Sequence, residues 1–129
     1  MSTQNFERGL DPKEAMGTGK YSERDKIESW LKTKGLNTIK HYIKESYNNG
    51  DFTIDIYGDV DLVGELLDTK KFPDNIRFKK VTGNFWCDGN ELTSLKGCPK
   101  EVGDSFSCTN NKLTSLEHKP EIIKGIIWF

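Results

Sequence analysis

The chain is poor in the residues that most often carry chemistry. It has three cysteines and two histidines among 129 residues. Cys87, Cys98 and Cys108 show no C-x-x-C spacing, and a zinc site would need a fourth ligand from His41 or His118. An odd number of cysteines suits reduced thiols. They read as buried, because free cysteine packs as a small hydrophobe. Cys98 sits at a corner and is expected to be the most reachable. Neither histidine is spaced with a partner in a triad pattern. Gly17-Thr18-Gly19-Lys20 fails as a phosphate loop, since Glu14 replaces the first glycine and Tyr21 the Ser/Thr. Carboxylates are scattered, and nothing selects an acid–base pair. No catalytic, cofactor-binding or metal-ligating residue is assigned. The expectation is a non-enzymatic protein, with an enzyme of unrecognised site as a remote alternative, since fold alone excludes neither.

Long apolar runs are also missing. No stretch approaches the ~18 residues of a membrane span. Met1 to Lys20 lacks the apolar centre of a signal peptide, which predicts a cytosolic protein where it is made. Charge is balanced, with 19 Lys/Arg against 20 Asp/Glu. That balance argues against a nucleic-acid or membrane surface. Hydrophobic residues make up only 34%, a composition that a thin stack of repeats tolerates better than a globule does.

What is present is a repeat. Phe85-Trp86-Cys87-Asp88-Gly89-Asn90-Glu91-Leu92-Thr93-Ser94-Leu95 recurs 21 residues later (85 to 106) as Phe106-Ser107-Cys108-Thr109-Asn110-Asn111-Lys112-Leu113-Thr114-Ser115-Leu116. Pro99 recurs as Pro120 and Val102 as Ile123 at the same shift. Such a period marks a leucine-rich-repeat-like solenoid. Alternation along a strand predicts Phe85 and Cys87 inward, with Trp86 and Asp88 outward. Asn90 and Asn111 are expected to satisfy backbone groups of adjacent rungs. Gly58-Asp59-Val60-Asp61-Leu62 reads as a degenerate first rung. The predicted rungs span about 58–83, 84–103 and 104–124, closed by 125–129.

Upstream, Ser22 and Asp25 form a box-like helix start, Ile27, Trp30 and Leu31 make one apolar stripe, and Gly35 supplies a stop. These predict a helix over 23–34. Asn49-Gly50 between Tyr42-Ile43 and Phe52-Thr53-Ile54-Asp55-Ile56 predicts a hairpin of about 42–47 and 52–57. A helix over 37–48 is the competing reading. The expected fold is therefore mainly β with an N-terminal helix: a tail over 1–21, a helix-plus-hairpin cap over 22–57, and a solenoid of about three rungs over 58–129.

The string Leu92-Thr93-Ser94-Leu95-Lys96-Gly97-Cys98-Pro99-Lys100-Glu101-Val102-Gly103 resembles the short leucine-rich-repeat-like proteins encoded by tailed bacteriophages. Leu10-Asp11-Pro12-Lys13-Glu14-Ala15-Met16-Gly17 is similar to an N-terminal peptide of some of them. The last full unit departs from their pattern at Glu117-His118-Lys119. The resemblance implies synthesis in the host cytoplasm and a host or phage protein as partner. A structural component of the virion is the alternative.

The outward strand column is the candidate binding surface: Asp61, Trp86, Ser107 and Trp128, with Asp88 and Thr109 beside it. Solenoids use such faces for binding, and tryptophan is enriched at interface hot spots. The opposing reading is that the N-terminal helix or tail covers this face. Gly125-Ile126-Ile127-Trp128-Phe129 carries no charge or proline to blunt its edge, which points to a homodimer through this strand, or to an N-terminal segment folding back or a strand added by another partner as its cover.

Overall fold

A computed structural model of the protein describes residues 22–45 and 51–129. The expected tail over 1–21 and the Asn49-Gly50 turn lie outside the described residues. Helix α1 spans Glu23–Thr33. Its capping box closes as the sequence requires: the Asp25 N–H donates to Ser22 Oγ, and the Ser22 N–H to Asp25 Oδ2. Gly35 follows in the left-handed region at φ +74°. Strands β1 (His41–Glu45) and β2 (Phe52–Ile56) pair antiparallel, so the hairpin forms and the alternative helix over 37–48 does not.

From β2 onward the strands stack in parallel, building a β-solenoid of about four turns. One sheet runs β1-β2-β4-β6-β8, with β4 at Phe78–Val81, β6 at Glu101–Val102 and β8 at Ile122–Ile123. The other runs β3-β5-β7-β9, with β3 at Val60–Asp61, β5 at Phe85–Trp86, β7 at Phe106–Ser107 and β9 at Ile127–Trp128. The predicted register holds: Phe85 pairs with Phe106, which pairs with Ile127. Arg77 to Lys80, an apparent insertion in the sequence, contributes most of β4. Ile56, Val81, Val102 and Ile123 stack as one inward column. The second strand of the hairpin is thus also the first layer of this sheet.

Between the two sheets the chain turns so sharply that a side chain will not fit. A Cβ on Gly103 would lie 2.2 Å from the Thr82 carbonyl oxygen, an immovable backbone atom. The interior is filled by stacked rings. Phe85 lies parallel to Phe106 at 5.9 Å and meets Phe72 and Phe78 at 6.1 and 5.4 Å. Helix α1 closes the first layer by burying Ile27 and Leu31, with Trp30 packed on Phe78. At the far end the last layer has a neighbour on one side only. Leu95 is fully buried, whereas its repeat equivalent Leu116 is 40% exposed.

His41 ties α1 to β1. Nδ1 lies 2.6 Å from the Ile39 carbonyl and Nε2 lies 2.8 Å from Glu28 Oε1. Both partners accept, so the doubly protonated ring satisfies both. Burial lowers its pKa, but the Ile39 carbonyl and Glu28 outweigh that, and the net shift is upward. A raised folded pKa stabilises the fold fully below the unfolded value of about 6.5, and that gain is lost as pH rises through the folded value. Urea midpoints should therefore fall as pH rises across this window, and Glu28→Gln should flatten the slope. A slope unchanged in that variant would contradict the assignment.

Candidate functional site

Asn90 and Asn111 hold the turn after each strand. Asn90 Oδ1 accepts from the Leu66 N–H at 2.8 Å, and its Nδ2 donates to the Leu62 and Cys87 carbonyls at 2.8 and 3.0 Å. Asn111 repeats this one layer on: Oδ1 accepts from the Asn90 and Leu92 N–H groups, and Nδ2 donates to the Cys87, Cys108 and Thr109 carbonyls. A second ladder runs along the corner. Asp59 Oδ1 accepts from the Asn84 N–H, Asn84 Oδ1 from the Ser105 N–H, and Ser105 Oγ from the Ile126 N–H. In the first ladder each asparagine receives the preceding layer's backbone donor, and in the second each side chain receives the next layer's.

These ladders decide which predicted site residues are free. In the strand column, Asp61 is exposed, Trp86 is half-buried and Trp128 is 45% exposed. Ser107, expected on the open column between the two indoles, is instead only 5% exposed. Its hydroxyl donates to Asp88 Oδ1 at 2.5 Å, and the same oxygen accepts from the Thr109 N–H at 2.7 Å. Asp88, Ser107 and Thr109 are therefore engaged with one another, because a turn packed this tightly needs an acceptor for the Thr109 donor. The Asp61 carboxylate accepts from the Val63 N–H at 3.1 Å. Beyond Asp61, the column presents Trp86 in part and Trp128 more fully, two layers apart with the buried Ser107 between them. Helix α1 packs on the first layer, through Ile27, Leu31 and the Trp30–Phe78 contact.

All three cysteines are buried and free, with Cys98 the most exposed at 7%. The expected order of access holds, but even Cys98 is closed off. Burial, with Cys87 and Asp88 nearby, pushes the Cys108 thiol up to about 12. Burial and a hydrogen bond with Cys87 raise Cys98 well above the usual thiol range. Thiols held protonated make poor nucleophiles. In the folded protein all three should react with a thiol reagent far more slowly than in urea. Cys87→Ser and Cys108→Ser should each cost ~1–3 kcal/mol, since a hydroxyl replaces apolar sulfur. Rapid labelling without denaturant would contradict this.

Among the described residues no group of three or more His, Cys, Asp or Glu side chains is placed to hold a metal ion. None of their helices is long and apolar enough to cross a membrane. Sequence reasoning missed a groove of about 860 Å³ on another side of the solenoid, where lysines from several layers converge. The signal was there in part, for Lys79 and Lys100 stand one repeat apart. No known protein family, curated protein or solved structure matches the chain.

Proposed function

We propose that the protein is a non-enzymatic protein-binding module that docks its partner on the solenoid strand face through Trp86 and Trp128. The observation that carries this reading is the pair of indoles in one register, fixed by Trp86 pairing with Ser107 and Ser107 with Trp128. Two large amphipathic side chains on a stiff backbone lose little entropy on binding, which favours them as interface anchors. The Asp88–Ser107–Thr109 network supports the role by stiffening the ground beneath them. The resemblance to phage-encoded repeat proteins makes a host or phage protein the expected partner. In the test, the full chain and a Trp86→Ala/Trp128→Ala variant are used as baits, with bound proteins identified by mass spectrometry. The same defined partner should be retained by the first and lost by the second, at matched folding by circular dichroism. Equal retention would refute the strand face.

Ile126, Ile127, Trp128 and Phe129 are all exposed on the last layer, and this favours a second reading: self-association of the 129-residue chain through β9. Light scattering at high micromolar concentration should then give a dimer mass that Trp128→Lys reduces. A monomer in the unaltered chain would exclude it.

A further inference from the structure

On the side of the solenoid where the proline corners lead into the β1-β2-β4-β6-β8 sheet lies the 860 Å³ groove, within the size range of ligand sites. Its walls carry Lys44, Lys79, Lys96, Lys100, Lys119 and Arg77. Six of the chain's 19 Lys/Arg line it, against three of its 20 Asp/Glu (Glu45, Asp74 and Glu121). Arg77 is paired with Asp51 at 3.5 Å. Among the described residues, none of the five lysines has a carboxylate within ion-pair distance.

Stacking concentrates the charge. The Lys100 N–H donates to the Lys79 carbonyl, so these two lysines sit on adjacent layers, about 4.8 Å apart along the stack. Lys96 and Lys119 come from the corner segments of successive rungs and line the same groove. The floor is apolar, formed by Pro73, Ile76 and Phe78. Gly97 lets the wall approach this floor: its φ is +101°, and a Cβ there would lie 2.7 Å from Phe72 Cβ. Uncompensated lysines on adjacent layers repel one another, and an anion relieves that repulsion.

We infer that this groove binds a short acidic segment of a protein partner, its carboxylates on the lysine walls and an apolar side chain on the floor. Two features select a short peptide over a long polyanion. Carboxylates flank the lysines within the groove itself, and the rest of the molecule is more acidic than the whole, which repels an extended phosphate backbone. The groove residues are separate from Trp86 and Trp128, so this inference stands apart from the strand-face reading.

The test uses the full chain and fluorescence anisotropy with three labelled probes. These are a peptide of six glutamates around a central leucine, its glutamine counterpart, and a 20-nucleotide single-stranded DNA. The glutamate peptide should bind, weaken with added salt, and lose about tenfold or more in affinity in Lys79→Glu/Lys100→Glu. Lys96→Glu/Lys119→Glu is a second variant, should the first fail to fold. Trp86→Ala/Trp128→Ala should bind the peptide unchanged. The inference is overturned by no binding up to millimolar peptide, by equal binding of the glutamine peptide, or by equal binding to a folded charge-reversed variant. Tighter binding of the DNA would overturn it as well and make the groove a nucleic-acid site.

Discussion

Asn90→Ala should remove a large part of the stability of the fold. The Asn90 side chain is fully buried and makes three hydrogen bonds, one accepted from Leu66 and two donated to Leu62 and Cys87. Alanine orphans the Leu66 N–H where water has no access, while the Leu62 and Cys87 carbonyls each lose one of two donors and keep the Glu65 N–H and Asn111 Nδ2. The orphan costs roughly 1–3 kcal/mol and each lost carbonyl bond roughly 0.5–1.5 kcal/mol, so a loss of about 2–6 kcal/mol is expected. A domain of this size has a total of about 5–15 kcal/mol. Asn111 supplies the control. It makes equivalent bonds but lies half-buried in the next layer, where solvent can replace some of them. Asn111→Ala should therefore cost clearly less. Urea titrations followed by circular dichroism compare the two. An Asn90→Ala loss below about 1 kcal/mol would show that the ladder contributes little.

Phe85→Ala should cost about 3–5 kcal/mol, the usual range for emptying an aromatic site in a core. Phe85 touches Phe72, Phe78 and Phe106, which come from three separate segments, so no single neighbour can move in to fill the space. Phe85→Leu should recover a good part of the loss. The comparison residue is Ile127, in the same column on the exposed last layer, where truncation should cost far less. Equal costs at the two positions would contradict the gradient of burial along the stack.

The repeat was legible because its side chains obey two independent constraints at once. Phe85 and Cys87 must face in, and Asn90 must reach a neighbouring layer, so the F-x-C-x-x-N spacing has little freedom. The helix was legible for a similar reason, since the Ser22–Asp25 box and the Ile27–Leu31 stripe agree. The second sheet was harder to see. Strands of two residues such as Glu101–Val102 are too short to show alternation, and the extra segment Arg77 to Lys80 hides β4 until Val81 is found stacked on Val102. Within the proposed binding column, the places of Trp86 and Trp128 follow from period alone. The burial of Ser107 does not, because it depends on where the Asp88 carboxylate turns. The groove was hidden for a different reason: an exposed lysine in a sequence reads as ordinary solvated surface. Only the layer spacing places Lys79 beside Lys100, and only the corners bring Lys96 and Lys119 into the same groove.

The two ladders of side chain to backbone have a consequence for how such a chain can change over generations. Asn111 recognises the main chain of the Asn90 turn, and Ser105 that of Ile126, without reference to how many layers lie above or below. Each layer specifies its neighbour and nothing further. From Val81 and Phe85 onward the protein is then a polymer whose monomer is 21 residues long, the first step being 25. Duplicating one whole unit preserves every contact, while a single-residue insertion within a unit breaks contacts on both sides of it. Length becomes a trait that can vary separately from fold, and with it the size of both the strand face and the lysine groove.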